Sequence, residues 1–252
     1  MNPRQFHPTR LVRAVLMAGF GFLILKLLVT GQMPKYMNAS LDPLMAGTGL
    51  IMLVLGLVEG CAGRSAQPGE EAAADDPDAF DAEQALTYGL LGSMLLLGVL
   101  VAPRALGTSA LAGEDLANYL LAFDPGVTPV PADAARPDMP LDDVGNLMTY
   151  LGRVGEGGVG QRVRVTGLVS KSAGLRPGEF PLLRFLIVHC VADARPVGFL
   201  VVNVPDKPDL DQWVAVEGVV TVTERQGDRL LAIEATSIVP VAEPADPYIH
   251  PI

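Results

Sequence analysis

The chain has little cysteine, little charge and few aromatic rings. Two cysteines in 252 residues exclude a disulfide scaffold, which needs several paired thiols to make up for a small core. Charged residues make up 18% and aromatic residues 6%, and 28 acidic residues outnumber 18 basic ones. From residue 161 onward nine Lys or Arg stand against eleven Asp or Glu. A surface that follows a phosphate backbone needs basic and stacking side chains together, so nucleic-acid binding is not expected. No Gly-rich loop has a phosphate-binding context, and Ser170, Ser172 and Ser237 have no neighbouring His-Asp arrangement. An enzyme is not expected either.

What the chain does have is apolar sequence: 50% of residues are hydrophobic and the mean hydropathy is +0.35. Three segments, about 11–30, 41–60 and 85–107, approach the roughly 20 residues needed to cross a bilayer core. "VTGQMPKY" offers no small-x-small cleavage site and a second apolar segment follows at once, so the first segment is expected to be an uncleaved anchor. Lys26 is placed where its ammonium can extend to the headgroups. Arg4, Arg10 and Arg13 outweigh the lone Lys35 of the next loop, which places the N-terminus in the cytoplasm. Three crossings then put everything after Gly107 outside, and Cys61 and Cys190 fall on opposite sides, where they cannot pair. Glycines 47, 49, 56, 89, 92 and 98 suit close helix packing or a docking face for another membrane protein.

Residues 1–110 therefore read as a transmembrane region with an acidic, disordered loop at 61–84, and 111–140 as a Pro- and Ala-rich linker. In 141–252 an amphipathic helix comes first, "LDDVGNLMTYLGR", with apolar residues at helical spacing. From residue 161 the period changes to alternation. "RVRVTGLVSK", two runs within "LLRFLIVHCVADARPVGFLVVNV", "QWVAVEGVVTVTE" and "RLLAIEATSIVPV" make five strands, with a hairpin signal at "RQGD" and strong bends at Gly167 and Gly218. The expected architecture is a membrane α-helical N-terminal region followed by a small all-β, OB-like barrel. The two middle strands are apolar on both faces, and a small barrel can bury only one in its own core. The helix at 141–153 is the expected cover of the second.

The order of three spans, "APRALGTSALAGEDLANYLL", "RVRVTGLVSK", "GEFPLLRFLIVHCVADARPVGFLVV" and "DQWVAVEGVV" resembles the YcgQ-type bacterial permease-subunit family over most of the chain. The resemblance implies a membrane accessory subunit that works with a polytopic permease of the YcgR type. It supplies no catalytic residues.

The family signature resembles Cys-Cys-x-Ala-Asp-Ala, and here it reads from His189 to Ala194, with His189 in place of the first Cys. His189, Cys190 and Asp193 are the candidate metal-ligating residues, with His250 or a partner as a further donor. The metal would be a transition metal, and the alternative function a metal- or thiol-responsive binding protein. Against this, neighbours on an extended strand point to opposite faces, so both chelate one ion only if the strand ends there. The plainer reading is a half-buried thiol beside a hydrogen-bonded histidine. Asp193 and Arg195 could pair across the corner.

Overall fold

The computed structural model describes residues 8–62, 82–111, 144–171, 174–225 and 228–250. It divides into two compact units, Met1–Arg104 and Ala105–Ile252. Most of the acidic loop, nearly all of the linker and the two central residues of the "RQGD" turn lie outside the described residues.

The first unit holds three helices, α1 (Pro8–Val29), α2 (Asp42–Ala62) and α3 (Ala82–Leu100). At about 1.5 Å per residue each spans roughly 30 Å, and all three are apolar and long enough to cross a membrane. α3 stops at Leu100, short of the expected residue 107, and Pro103 disfavours helix in the residue before it. α1 ends in a Schellman turn. Gly31 takes φ +64, with Gln32 N donating to Leu27 O and Gly31 N to Leu28 O.

Helix contacts in this unit are made where side chains are missing. A Cβ on Gly21 would lie 2.6 Å from both Gly49 O and Leu53 N, and one on Gly56 would lie 2.6 Å from Ala18 N. Backbone thus meets backbone between α1 and α2, which run antiparallel. α1 and α3 run parallel and are joined near both ends. Arg13 Nε donates to Tyr88 Oη at 2.8 Å, and Lys26 Nζ donates to Val99 O at 3.0 Å. The Lys26 ammonium therefore reaches a carbonyl in the last turn of α3, where a cation suits the helix dipole. Gly49, Gly56 and Gly98 are used in this packing, whereas among the described residues no neighbour lies within 4 Å of a Cβ placed on Gly47, Gly89 or Gly92.

The second unit is the expected barrel. Its strands are β1 (Arg162–Val169), β2 (Phe180–Leu186), β3 (Arg195–Val202), β4 (Trp213–Arg225) and β5 (Asp228–Pro240), with a two-residue β6 (Tyr248–Ile249). β1 pairs β4, β4 pairs β5, and β5 pairs β3 in parallel. β3 then pairs β2, and β2 returns to β1 through Leu168–Leu183 and Val169–Leu182, which closes the ring. Gly218 sits at a register shift between β4 and β5. A Cβ there would meet Glu234 O and come 2.7 Å from Ile233 Cγ2, so the strand bends where only hydrogen fits.

The helix α4 (Val144–Val154) does not cover the outer faces of the middle strands, contrary to expectation. Val144, Leu147, Tyr150, Leu151 and Val154 join one core with Val165, Phe180, Leu182, Phe199, Val201, Val216 and Ile233 from inside the barrel. A closed ring of five strands leaves an open end over its apolar interior, and the helix stripe fills it. Other parts of the chain cover the outer faces. Leu111, Leu106 and Tyr248 pack on Leu183, Phe185 and Ile187 of the β2 side. Leu175 packs with Leu200, Leu230 and Ala232 over β3 and β5.

Candidate functional site

The His-Cys corner forms where β2 has ended. Val188 and His189 are exposed, Cys190 is half-buried, and a single 3-10 turn covers Val191–Asp193. Asp193 organises the turn. Its Oδ1 accepts from Val188 N at 2.9 Å, and its Oδ2 accepts from His189 N at 2.9 Å and Cys190 N at 3.3 Å. His189 Nδ1 lies 3.2 Å from the same Oδ2. The Val188 amide does most to hold the Asp193 carboxyl below its ordinary value. Partial burial opposes it, and the His189 and Cys190 amides and the His189 ring add to the lowering.

Of the three candidate ligands, His189 and Asp193 come together and Cys190 contributes its amide to the same carboxylate. Asp193 serves the backbone on both oxygens, so the partner expected in Arg195 is replaced by three amides. Cys190 has an extended backbone, φ −152 and ψ 170, and is the N-cap of the turn in a capping box with Asp193. His250 follows Ile249, whose carbonyl accepts from Ile187 N at 2.9 Å, but its Nε2 is 2.9 Å from Asp246 Oδ2. Among the described residues no three His, Cys, Asp or Glu side chains gather as a metal-ligand set. The chemistry that the corner displays is that of an Asx-type turn in which one carboxylate closes a strand end.

A second polar cluster was not expected from sequence. Arg184 lies in the apolar run "PLLRFLIV" and is 7% exposed. Its guanidinium donates to Pro247 O at 3.3 Å, Asp246 O at 2.8 Å and Tyr248 O at 2.9 Å. It also lies 5.9 Å from the Trp213 ring centroid, a cation–π contact. These bonds hold β6 beside β2 in parallel register, Phe185 with Tyr248 and Leu186 with Ile249. Tyr248 in turn accepts from Leu106 N at 3.1 Å. Burial raises the Tyr248 phenol above its ordinary value, against the Leu106 amide, and the carboxylates of Glu243 and Asp246 add to the rise. The one signal that could have found this cluster was a lone cation in a buried strand, which must have partners.

A shallow groove of about 540 Å³ lies at the β4–β5 register shift, lined by Arg162, Arg164, Glu217 and Thr236 among others. Arg164 and Glu217 pair across it at 3.4 Å with both side chains more than half exposed, which leaves it solvated.

Two family descriptions match this chain, the DUF1980 N-terminal domain over residues 12–116 and the DUF1980 C-terminal domain over 142–251. The first covers most of the helical unit and continues over residues 105–111, and the second covers α4 and the barrel. The UPF0703 protein YcgQ of Bacillus subtilis (strain 168) is 27% identical over 96 residues, 36% of this chain and 33% of that protein. The matched part spans about a third of that relative's length. With both of its halves matched in order, the chain belongs to the DUF1980 family of YcgQ-type proteins.

Proposed function

We propose that the protein is an accessory subunit of a bacterial membrane permease, with three helices that hold the barrel outside the cytoplasm beside a polytopic transporter of the YcgR type. The observation that carries this reading is the filled barrel. Phe180, Leu182, Phe199, Leu231 and Ile233 are under 2% exposed, and the stripe of α4 joins them in one core. A barrel whose described interior residues pack into one core offers its outer surface, the part that a subunit presents to a partner. The polar clusters at Asp193 and Arg184 hold backbone in place, which supports a non-enzymatic role. The excess of acidic residues and the covered outer faces of β2 and β3 argue against a nucleic-acid partner.

Orientation follows from Arg4, Arg10 and Arg13, before and within the first turns of the first of an odd number of alternating helices. Reporter fusions placed after Gly107 are expected to be active only outside the cytoplasm, and activity inside would invert the arrangement. For the partner, co-expression with the YcgR-type permease and purification in mild detergent should yield a stoichiometric complex. Separate elution of the two proteins, under conditions in which other membrane complexes survive, would end the reading.

A further inference from the structure

We propose that residues 105–111 form a releasable cover over the outer face of β2, one that opens as a unit of its own while the barrel stays folded. Beneath it lie Leu183, Phe185 and Ile187, which are 1%, 5% and 0% exposed. OB-type barrels use the face formed by their second and third strands for ligands, and here the chain itself occupies the β2 part of that face. The segment is weakly held. Leu111 is its one buried residue, Leu106 is partly buried, and Ser109 and Ala110 are exposed.

Among the described residues the segment makes two hydrogen bonds to the rest of the barrel unit, and both acceptors are side chains. Leu106 N donates to Tyr248 Oη at 3.1 Å, and Thr108 N donates to Asp211 Oδ1 at 2.7 Å. Its third bond, Ala110 N to Gly107 O, is internal. By contrast β6, on the same face, is tied by ladder pairing and by the three bonds of Arg184. A segment with few buried contacts and no ladder opens at a lower free energy than the strands beneath it. Asp211 holds its end of the contact at φ +62, a conformation uncommon outside glycine. Residue 105 follows the end of α3 by five positions, so along the chain the cover is the first part of the barrel unit that a movement of α3 reaches.

The test is residue-resolved amide exchange on the full chain in detergent micelles, with no partner present, so its outcome is independent of the permease reading. The Leu106 and Thr108 amides should exchange at least about tenfold faster than the ladder amides of β4, since a tenfold difference needs only about 1.4 kcal/mol. Two variants sharpen the result. Asp211→Gly suits the backbone at φ +62 but removes the acceptor of Thr108, and Leu111→Ser removes the apolar anchor. Each should speed exchange at 106 and 108 a further tenfold or so and leave the melting of the barrel, read at Trp213, within a few degrees of wild type. Exchange at 106 and 108 that matches β4 would overturn the proposal. So would loss of the folded barrel in both variants, because the segment would then be part of its core.

Discussion

Gly56 of α2 lies against the backbone of Ala18, whereas Phe180 and Phe199 sit in the barrel core with none of their surface exposed. The two units are held by opposite means. In water, each large side chain moved into the barrel removes apolar surface from solvent, worth about 1.5–3 kcal/mol for a Leu or Phe. Lipid takes that incentive away, since a leucine is as comfortable beside an acyl chain as beside another leucine. Helices then associate through close backbone approach and a few polar ties. The exposed leucines of α3, such as Leu86, Leu90 and Leu97, are ordinary on such a helix and would be a fault on the barrel.

This contrast is broken if one kind of mutation harms both units. The largest effect should come from Leu147→Ala in the helix that closes the barrel, a loss of about 2–5 kcal/mol. The single Trp213 reports unfolding of the barrel alone within the full chain, so a urea titration followed by its emission measures the change directly. The reverse substitution tests the helices. Gly56→Leu forces apart the backbones of α1 and α2, and overpacking of this kind costs about 1–3 kcal/mol. SDS titration followed by helical ellipticity should show it, with the Trp213 transition unmoved.

A smaller effect is expected at the polar tie between α1 and α3. Tyr88→Phe removes the acceptor of Arg13, worth about 0.6 kcal/mol for hydrogen bonds of this type between membrane helices. The smallest effect concerns the corner. Because the Asp193 carboxyl is held below its ordinary value of 3.8, its contribution is present above that pH and is lost as pH falls through the lower folded value. Amide exchange at Val188, His189 and Cys190, corrected for intrinsic rates, should therefore lose protection in acid. Asp193→Asn should abolish the acid step, and an unchanged step in that variant would assign the titration elsewhere.

Much of the fold was legible in the sequence because it is written in local periods. Apolar runs near 20 residues mark the helices, alternation or a short apolar run marks each of the five strands, and the i, i+3, i+7 spacing of Val144, Leu147 and Leu151 marks α4. Gly218 was recognisable as a bend because a strand interior has little other use for glycine. The end of α3 was overestimated, since the apolar run continues past Leu100.

The candidate site was less legible. The sequence placed His189, Cys190 and Asp193 within five residues, but it could not tell a chelate from a turn. That depends on which amides the carboxylate meets. It also marked the middle strands as apolar on both sides, and by itself determined that something must cover the second face. Only the tertiary structure decided what: α4 went to the open end of the barrel, while residues 105–111 and Tyr248 went to β2. Apolar burial is non-directional, so an apolar stripe says that it will be buried and not against which surface. The choice was left to the geometry of a closed five-stranded ring and to the buried Arg184, whose guanidinium found its acceptors more than sixty residues away in the C-terminal segment.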